Sequence, residues 1–424
     1  MSEQETVQLS PQDSGRNLQL HGPPWGLEKI YDYETGGHHP IHLGDRLGND
    51  GKYRVIHKLG SGGFANVWLC QALDPTPKYV ALKIIMADFS GDNCPELKVN
   101  KVRQLNICND SICLPLDQFK ITGPNGEHWC FVYPLAGPAV SSINHIFEDH
   151  DKTLRRIALH TVEAMASLHE HGICHGDFTP HNVLLRVTGL DGLSEEEVIK
   201  ILGEPKTFKV TTCAGEIPPE TAAKYLVIPV EFEHVDVSFL RDEVYVIDFG
   251  ESFSISDSPE LGTPKSYSAP EILLGEKPGP GSDIWALACT LFSIRTGRKL
   301  FTMFDDDADE YLYFMALFFG IMPEPWWSTT WEHRRRCFED EPDSEGRPVI
   351  KGSTDEARGF EKRVEAGFEY EVQSGGKFET VHRDIPPEEV MLFVDLLMKL
   401  FRFKPEERLS ARDAQDHEWF DLGI

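Results

Sequence analysis

The sequence has no apolar run long enough to cross a bilayer. Its longest strongly apolar stretch, residues 311–322, falls short of the roughly 20 residues that a membrane-spanning helix needs, and it lies between an acidic segment and a proline-rich one. We interpret this stretch as a buried helix and expect no membrane anchor. The polar first 26 residues have no apolar core of the kind a signal peptide carries, so we expect residues 1–26 to form a mobile tail.

Closely spaced cysteine pairs are also missing. The nine cysteines are scattered singly between Cys70 and Cys337, with no Cys-x-x-Cys spacing. This arrangement fits reduced thiols better than a disulfide framework or structural zinc, and we expect a cytoplasmic or nuclear protein. No internal repeat is found at periods between about 20 and 50 residues, which excludes solenoids and propellers.

Basic residues are scarce compared with acidic ones. The chain has 41 Lys and Arg against 69 Asp and Glu, a formal net charge of -28. Nucleic-acid binding needs clustered basic side chains that displace counterions, so we expect no direct contact with nucleic acid. The acidity serves either solubility or the recruitment of a basic partner, and charge alone does not distinguish the two.

The patterns that are present indicate an α+β chain with two lobes. Short β-branched runs at 53–59, 65–69, 80–85 and 129–132 predict a small sheet. After residue 137, apolar residues recur at three- and four-residue steps over 154–169, as in an amphipathic helix. We therefore predict an N-terminal lobe at 27–137 and a larger helical lobe at 138–424, with an insertion at about 187–243. Within the insertion, Ser194 and Glu197 have the spacing of a helix capping box.

A glycine-rich turn between two predicted strands is the first candidate site. It is formed by Leu59, Gly60, Ser61, Gly62, Gly63, Phe64, Ala65, Asn66 and Val67. Glycines allow the backbone to approach phosphates without side-chain interference, although such a hairpin is more often only a turn. One hairpin later, Lys83 follows Ala81 on a strand, where its charge would pair with the α- and β-phosphates. Glu96 is the acidic candidate to hold this lysine, and a solvated surface glutamate is the alternative.

The most specific segment follows the amphipathic helix and includes Asp177 and Asn182. Asp177 would accept or orient the proton of a substrate hydroxyl, and the side-chain oxygen of Asn182 would reach a magnesium ion. Downstream, a buried strand at 244–247 ends in Asp248, placed to hold magnesium between the β- and γ-phosphates. An ordinary capped loop is the alternative for this segment. Taken in order, these parts predict ATP- and Mg²⁺-dependent phosphoryl transfer.

The set resembles the signature of the eukaryotic protein kinases. The match continues to Arg408 through the segments Gly262-Thr263-Pro264, Ser268-Ala269-Pro270-Glu271 and Ser282-Asp283-Ile284-Trp285. It covers the chain from about residue 31 onward. Among these kinases the chain is most similar to the SR-protein kinases, especially their shorter fungal-type members, because of its segments 33–40, 247–253 and 322–327.

This resemblance implies a bilobal kinase fold with a small β-rich N-lobe and a larger helical C-lobe. It also implies a monomeric serine/threonine kinase that uses ATP and Mg²⁺ on protein substrates, including Arg/Ser-rich splicing-type proteins. Asp177, Lys83 and Asn182 would be catalytic, and Asn182 and Asp248 would hold the metal. ATP would be bound by residues 59–67 with Ala81, Lys83, Glu96, Tyr133 as gatekeeper, the Pro134 carbonyl and the Ala136 amide. Glu271 should pair with Arg408, and Asp283 should cap the backbone of the catalytic loop.

Several positions depart from the kinase pattern. Ala65 replaces the third glycine of the loop, and Gly176 replaces the arginine that usually precedes the catalytic aspartate. Thr179 stands where a lysine usually contacts the transferred phosphoryl group, and Lys265 is a candidate substitute. The acidic run, residues 305–310, is either a solvated loop or part of a docking groove for basic substrates.

These departures leave two other classes of function open. One is a pseudokinase that binds and scaffolds without transferring phosphate, although Lys83, Asp177, Asn182 and Asp248 favour catalysis. The other is a small-molecule phosphotransferase, since His-Gly-Asp followed by Asn also occurs in aminoglycoside-kinase-like enzymes. Against it stands the peptide-positioning segment that ends at Glu271, a feature of protein kinases.

Overall fold

The structure is a computed structural model that describes residues 17–23, 26–73, 78–143, 150–232, 235–257, 259–303, 306–352, 359–374 and 377–422. The strands are β1 (Leu18–Leu20), β2 (Arg46–Leu47), β3 (Tyr53–Ser61), β4 (Ala65–Ala72), β5 (Tyr79–Ile85), β6 (Asp117–Gly123), β7 (Gly126–Pro134), β8 (Ala136–Ala139), β9 (Ile173–Cys174), β10 (Val183–Val187), β11 (Thr207–Thr212), β12 (Tyr225–Val227), β13 (Leu240–Val246), β14 (Phe253–Ser254), β15 (Phe368–Ser374) and β16 (Lys377–Arg383). The α-helices are α1 (Val99–Gln104), α2 (His150–Glu170), α3 (Glu195–Leu202), α4 (Pro270–Leu273), α5 (Pro280–Thr296), α6 (Ala308–Phe319), α7 (Arg334–Cys337), α8 (Glu361–Glu365), α9 (Pro387–Leu400) and α10 (Ala411–Ala414).

The described chain forms two compact units. The first contains the chain up to Leu97 together with Cys113–Gly137 and Arg186–Arg241. The second contains Lys98–Ile112, Pro138–Leu185 and the chain from Asp242 onward. A β-rich unit and a helical unit are thus present, as the sequence predicted.

A six-stranded sheet in the order β2-β3-β4-β5-β7-β6 organises the first unit. Successive side chains of a strand point to opposite faces, and on β5 the residues Val80, Leu82 and Ile84 enter one buried cluster with Trp68. The residues between them, Ala81 and Lys83, therefore lie on the other face. This alternation places the predicted phosphate-binding lysine on the face opposite that buried cluster.

The insertion packs with the first unit, whereas the sequence alone left it within the span 138–424. Its strands β11 and β12 form an antiparallel sheet with β1, in which Leu18 pairs with Thr212. Its helix α3 begins at the predicted capping box: Glu197 donates its amide to Ser194 Oγ, and the Glu197 carboxylate accepts the Ser194 amide. The first residues of the chain, 1–16, and residues 24 and 25 of the predicted tail lie outside the described part.

Helices dominate the second unit. The side chains of α5 from 282 to 296 are all buried, as expected of a helix that is apolar on every side. The predicted ion pair is present beside it, because the Arg408 guanidinium donates to both oxygens of Glu271 at 2.7 and 2.6 Å.

Smaller two-stranded sheets pair β9 with β14 and β15 with β16, and β13, β10 and β8 form a three-stranded sheet. None of the helices in the described ranges is both long and apolar enough to span a membrane.

Candidate functional site

The predicted glycine-rich loop connects β3 to β4. Gly62 donates its amide to the Ala65 carbonyl at 2.8 Å, which closes the turn. A β-carbon placed on Gly60 or Gly63 would meet no heavy atom of the described chain within 4 Å. Phe64 at the tip is 60% exposed, and its ring centroid lies 4.4 Å from that of Phe89. The backbone of the loop is therefore open to a ligand along its glycines.

The sheet behind the loop brings the other predicted nucleotide-binding residues of the first unit together. Lys83 on β5 pairs with Val67 on β4, and Ala81 pairs with Tyr133 on β7. Because paired residues lie side by side on the same face of a sheet, these side chains form one continuous platform. Pro134 ends β7 and Ala136 begins β8, at the edge of that platform.

Lys83 and Glu96 form the predicted ion pair, with Nζ 2.5 Å from Oε2. Both side chains are largely buried, at 17% and 5% exposure. Glu96 lies in a single 3₁₀ turn, Pro95–Lys98, and not on a long helix. The Tyr133 hydroxyl donates to the other carboxylate oxygen of Glu96. Sequence reasoning found the lysine and the glutamate but missed this third contact.

In the second unit, Asp283 fixes the start of the catalytic segment, residues 175–185. Its two carboxylate oxygens accept the amides of His175 at 2.6 Å and Gly176 at 3.0 Å, as predicted. Gly176 has a φ of +80°, and a β-carbon there would lie 2.4 Å from the Glu251 carbonyl oxygen. The arginine that usually occupies this position does not fit this backbone without a shift of Glu251.

Asp177 and Asn182 are in direct contact. The Asn182 amide nitrogen donates to the Asp177 carbonyl at 2.9 Å and to its Oδ2 at 3.0 Å, which leaves the Asn182 amide oxygen pointing away from Asp177. Asp177 Oδ1 is buried and has no hydrogen-bond partner among the described residues. Burial raises the pKa of the Asp177 carboxyl, as do the charges of Asp248 and Glu251, against the lowering influence of His175 and Asn182. Asp177 Oδ1 is therefore available to accept the proton of a substrate hydroxyl.

Asp248 adopts a strained backbone conformation directly after β13. Its φ of 63° lies in the left-handed region, which residues other than glycine rarely adopt. The preceding residue is tied to the catalytic segment, because Ile247 donates its amide to the Asn182 carbonyl at 2.9 Å. His175 Nε2 in turn donates to the Ile247 carbonyl at 3.0 Å. These bonds fix the positions of Asp177, Asn182 and Asp248 within one unit.

The donor set in this unit fits magnesium. Mg²⁺ prefers hard oxygen ligands and is held in proteins by few side chains together with phosphate oxygens. Asn182 offers an amide oxygen and Asp248 a carboxylate, beside the buried, unpartnered Oδ1 of Asp177. The residues present therefore suit a magnesium ion.

The departures from the kinase pattern have structural counterparts. The Thr179 amide donates to the Asp177 carbonyl at 3.0 Å, so this residue helps shape the loop. Lys265 donates to the carbonyl and the carboxylate of Asp306, with Nζ 3.1 Å from Oδ2, and is thus engaged by the acidic run. Sequence reasoning missed Thr263, whose hydroxyl donates to the Gly176 carbonyl. Its place directly after Gly262 in the segment leading to Glu271 was the available signal.

Within the acidic run, Asp307 and Asp309 hold contacts in and around α6, in addition to the pair of Asp306 with Lys265. Asp307 caps α6 by accepting the Asp309 amide at 3.0 Å. The Trp331 indole N–H donates to Asp309 Oδ1 at 2.8 Å, and Asp309 Oδ2 lies 3.1 Å from His333 Nδ1. Asp305 is outside the described residues. Asp306 and Glu310 thus remain as the acids best suited to a partner.

Comparison with known proteins gives a consistent result. The family described as Protein kinase domain matches residues 53–202 and 237–420. The chain is 25% identical to the serine/threonine-protein kinase SRPK of Physarum polycephalum over 92% of this chain and 91% of that protein. It is 24% identical to the serine/threonine-protein kinase AFC3 of Arabidopsis thaliana, over 96% and 89%. It is 26% identical to the dual specificity protein kinase KNS1 of Saccharomyces cerevisiae, over 92% and 58%.

Proposed function

Because this chain belongs to the protein kinase family and is a serine/threonine kinase similar to the SR-protein kinases, we propose that it phosphorylates Arg/Ser-rich segments of proteins, using ATP and Mg²⁺. The observation that carries this proposal is the contact between Asp177 and Asn182. One amide group holds the aspartate through two hydrogen bonds and leaves a buried carboxylate oxygen to accept a proton.

Residues of the first unit bind the nucleotide in this proposal. The loop 59–67 covers the phosphates with its backbone, and Lys83 pairs with the α- and β-phosphates. Glu96 keeps the Lys83 ammonium in place through their 2.5 Å ion pair. Ala81 and Tyr133 line the adenine side of the platform, where the Pro134 carbonyl accepts from the base and the Ala136 amide donates to it.

Residues of the second unit act on the transferred group. Asp177 Oδ1 accepts the proton of the substrate hydroxyl as the hydroxyl oxygen attacks the γ-phosphorus. The bond from the γ-phosphorus to the β,γ-bridging oxygen breaks, and ADP leaves. Asn182 and Asp248 would hold the metal, which would supply positive charge to neutralise the phosphates. Lys265 is engaged by Asp306, so its supply of charge to the phosphoryl group depends on release from that pair.

A direct transfer assay tests the proposal. With ATP labelled at the γ-phosphate and Mg²⁺, the full-length chain should label an Arg/Ser-rich peptide, and a chelator should abolish the signal. Asp248→Asn should lower the rate by about a hundredfold or more, because the metal contributes several kcal/mol to such reactions. Asp384→Asn, which changes a 95% exposed carboxylate of the same unit, should leave the rate unchanged.

Two results would contradict this function. No labelling of any protein or peptide by the wild type would support the pseudokinase alternative. Labelling of aminoglycosides in preference to peptides would support the small-molecule alternative.

The acidic run supplies the attraction for a basic substrate in this proposal. The net charge of -28 attracts basic partners to the protein in general. Within the run, the side chain of Asp306 is 70% exposed and can contact such a partner. Because Asp306 also holds Lys265 in the segment that leads to Glu271, the run is connected to the region that positions the peptide. The similarity of the chain to the serine/threonine-protein kinase SRPK of Physarum polycephalum supports a substrate of this kind.

Neutralising the run should weaken substrate binding without slowing the chemical step. The variant Asp306→Asn with Glu310→Gln spares the capping residue and the tryptophan acceptor of α6. We expect KM for an Arg/Ser peptide to rise by about threefold to tenfold at low salt with kcat unchanged, since exposed charge pairs contribute up to about 1 kcal/mol each. The difference should shrink as salt screens the charges.

Two controls separate docking from other effects of this variant. Lys265→Gln breaks the same pair with Asp306 but keeps both acids, so KM should not rise. Asp384→Asn with Glu406→Gln removes the same charge elsewhere in the second unit. An unchanged KM in the acidic-run variant would refute the docking role.

We also propose a cytoplasmic or nuclear location. The nine cysteines are all unpaired, and six of them are buried, which suits a reducing compartment. Fluorescence microscopy of the tagged full-length chain would test this location.

A further inference from the structure

The two oxygens of the Glu96 carboxylate are held from different sides. Oε2 faces the Lys83 ammonium at 2.5 Å, and Oε1 accepts a hydrogen bond from the Tyr133 hydroxyl. Glu96 is only 5% exposed, so water does not substitute freely for either contact. A carboxylate bound at both oxygens cannot rotate without breaking one of the two bonds.

Glu96 lies in the first turn of a helical segment that continues into α1 at Val99. Glu96 lies in a 3₁₀ turn of four residues, a conformation with poorer hydrogen-bond geometry than an α-helix. The turn is closed by a bond from the Leu97 amide to the Cys94 carbonyl at 3.0 Å. At the start of this helical segment, the contacts of the Glu96 carboxylate with Lys83 and Tyr133 set the orientation of the side chain.

Tyr133 lies in an inner strand of the six-stranded sheet of the first unit. It lies on β7, which is hydrogen-bonded to β5 on one side and β6 on the other. Its partner in the register is Ala81, two residues before Lys83, so the tyrosine and the lysine are diagonal neighbours on one face. The sheet thus supplies both residues that bind the carboxylate.

We propose that Tyr133 is a positioning residue, whose hydroxyl fixes Glu96 and through it the phosphate-binding ammonium of Lys83. This inference rests on the proposed function, in which Lys83 binds the phosphates of ATP. Hydrogen bonds to charged groups are stronger than neutral ones, so the contact holds the carboxylate in one orientation. In this role the Tyr133 hydroxyl contacts neither the phosphates nor the protein substrate, and it acts on Lys83 through Glu96.

A double-mutant cycle in the full-length protein tests the proposal. Tyr133→Phe removes the hydroxyl and keeps the ring, Glu96→Gln weakens the ion pair, and the double variant combines them. The first readout is the rate at which an amine-reactive ester modifies Lys83 in the nucleotide-free protein, followed by mass spectrometry. The second is the KM for ATP. Tyr133→Phe should raise both by about tenfold.

The decisive result is non-additivity. If Tyr133 acts through Glu96, Tyr133→Phe should change neither readout further in the Glu96→Gln background. Tyr79→Phe is the matched control, because it removes a hydroxyl from β5 that bonds to the Leu193 carbonyl at 3.1 Å. It should not alter the modification of Lys83. Equal modification rates in Tyr133→Phe and wild type, or fully additive effects, would overturn the proposal.

The rate of Lys83 modification separates this inference from the proposed function, because it is measured without phosphate transfer. A chain that transfers no phosphate but shows the predicted coupling at Lys83 would retain the positioning role of Tyr133 and refute the kinase activity. Normal phosphate transfer by the Tyr133→Phe variant, with an unchanged rate of Lys83 modification, would refute the positioning role of Tyr133 and retain the kinase activity.

Discussion

Asp177→Asn is expected to lower the rate of phosphoryl transfer by about 10²–10⁴-fold, the range that a general base contributes. Asparagine preserves the shape of the side chain and can still accept the bond that Asn182 donates to Oδ2 at 3.0 Å. It cannot accept the proton of the substrate hydroxyl at the buried position of Oδ1. The affinity for ATP should stay nearly constant, since the nucleotide is held by other residues in the proposed function. Single-turnover kinetics and nucleotide binding, measured side by side, would check both parts.

A matched control exists for this variant in the same unit. Asp242→Asn changes a carboxylate that is 17% exposed and lies 2.8 Å from Arg156, so it removes an ion pair without touching the catalytic segment. Its transfer rate should remain close to wild type. If Asp177→Asn kept more than about a tenth of the wild-type rate, Asp177 would not be the base.

The parts of the site that lie on short contiguous segments could be predicted from the sequence. Lys83 follows from an apolar strand beside a glycine-rich turn, and Asp177 and Asn182 follow from their spacing after an amphipathic helix. The capping box of Ser194 and Glu197 was likewise readable, because its two hydrogen bonds join residues three positions apart. For Asp177 with Asn182 and for Ser194 with Glu197, the local backbone alone brings the groups together.

Contacts that depend on strand register were not readable. The bond between Tyr133 and Glu96 requires that Tyr133 face Ala81 across β5 and β7, and the register depends on how the intervening chain is threaded. Spacing gave Glu96 as the partner of Lys83, but not the 3₁₀ turn that carries it. The sequence therefore predicted the contact of Glu96 with Lys83, but it gave no indication of the second contact, with Tyr133.

Pairings between distant segments were also beyond the sequence. The strand Leu18–Leu20 pairs with a strand of the insertion nearly two hundred positions later. The buried cluster around this sheet combines Leu18 and Tyr33 with Val210 and Leu226. Hydrophobic patterns mark each piece as apolar but do not specify which pieces meet, so the insertion could be recognised but not placed.

The same part of the first unit contains a fully buried ion pair. Glu28 and Lys58 have side-chain exposures of 2% and 0%, and their charged groups are in contact. Tyr33 donates its hydroxyl to the other oxygen of Glu28 at 2.8 Å. The Lys58 ammonium also lies 5.3 Å from the centre of the Trp68 ring. The pair therefore connects the segment before β2 to the strand that leads into the glycine-rich loop.

Glu28→Gln is expected to lower the free energy of unfolding by about 3–5 kcal/mol, because it leaves the Lys58 charge buried without a partner. Glutamine has nearly the same shape as glutamate, so the loss would not arise from a cavity. Burial already lowers the pKa of Lys58, against the opposing influence of Glu28, which shows that the surroundings disfavour its charge. Denaturant unfolding followed by tryptophan fluorescence and circular dichroism would measure the change.

The double variant Glu28→Gln with Lys58→Met decides whether the buried charge is the cause. Removing both charges should restore most of the stability, since apolar replacement of a buried ion pair is often neutral or favourable. Tyr33→Phe, which removes only one hydrogen bond to Glu28, should cost about 1 kcal/mol if the acceptor stays paired with Lys58. A single variant as stable as wild type would mean that water or another group solvates Lys58. A double variant less stable than Glu28→Gln would instead mean that packing around the lysine stem, and not its charge, holds the N-terminal segment in place.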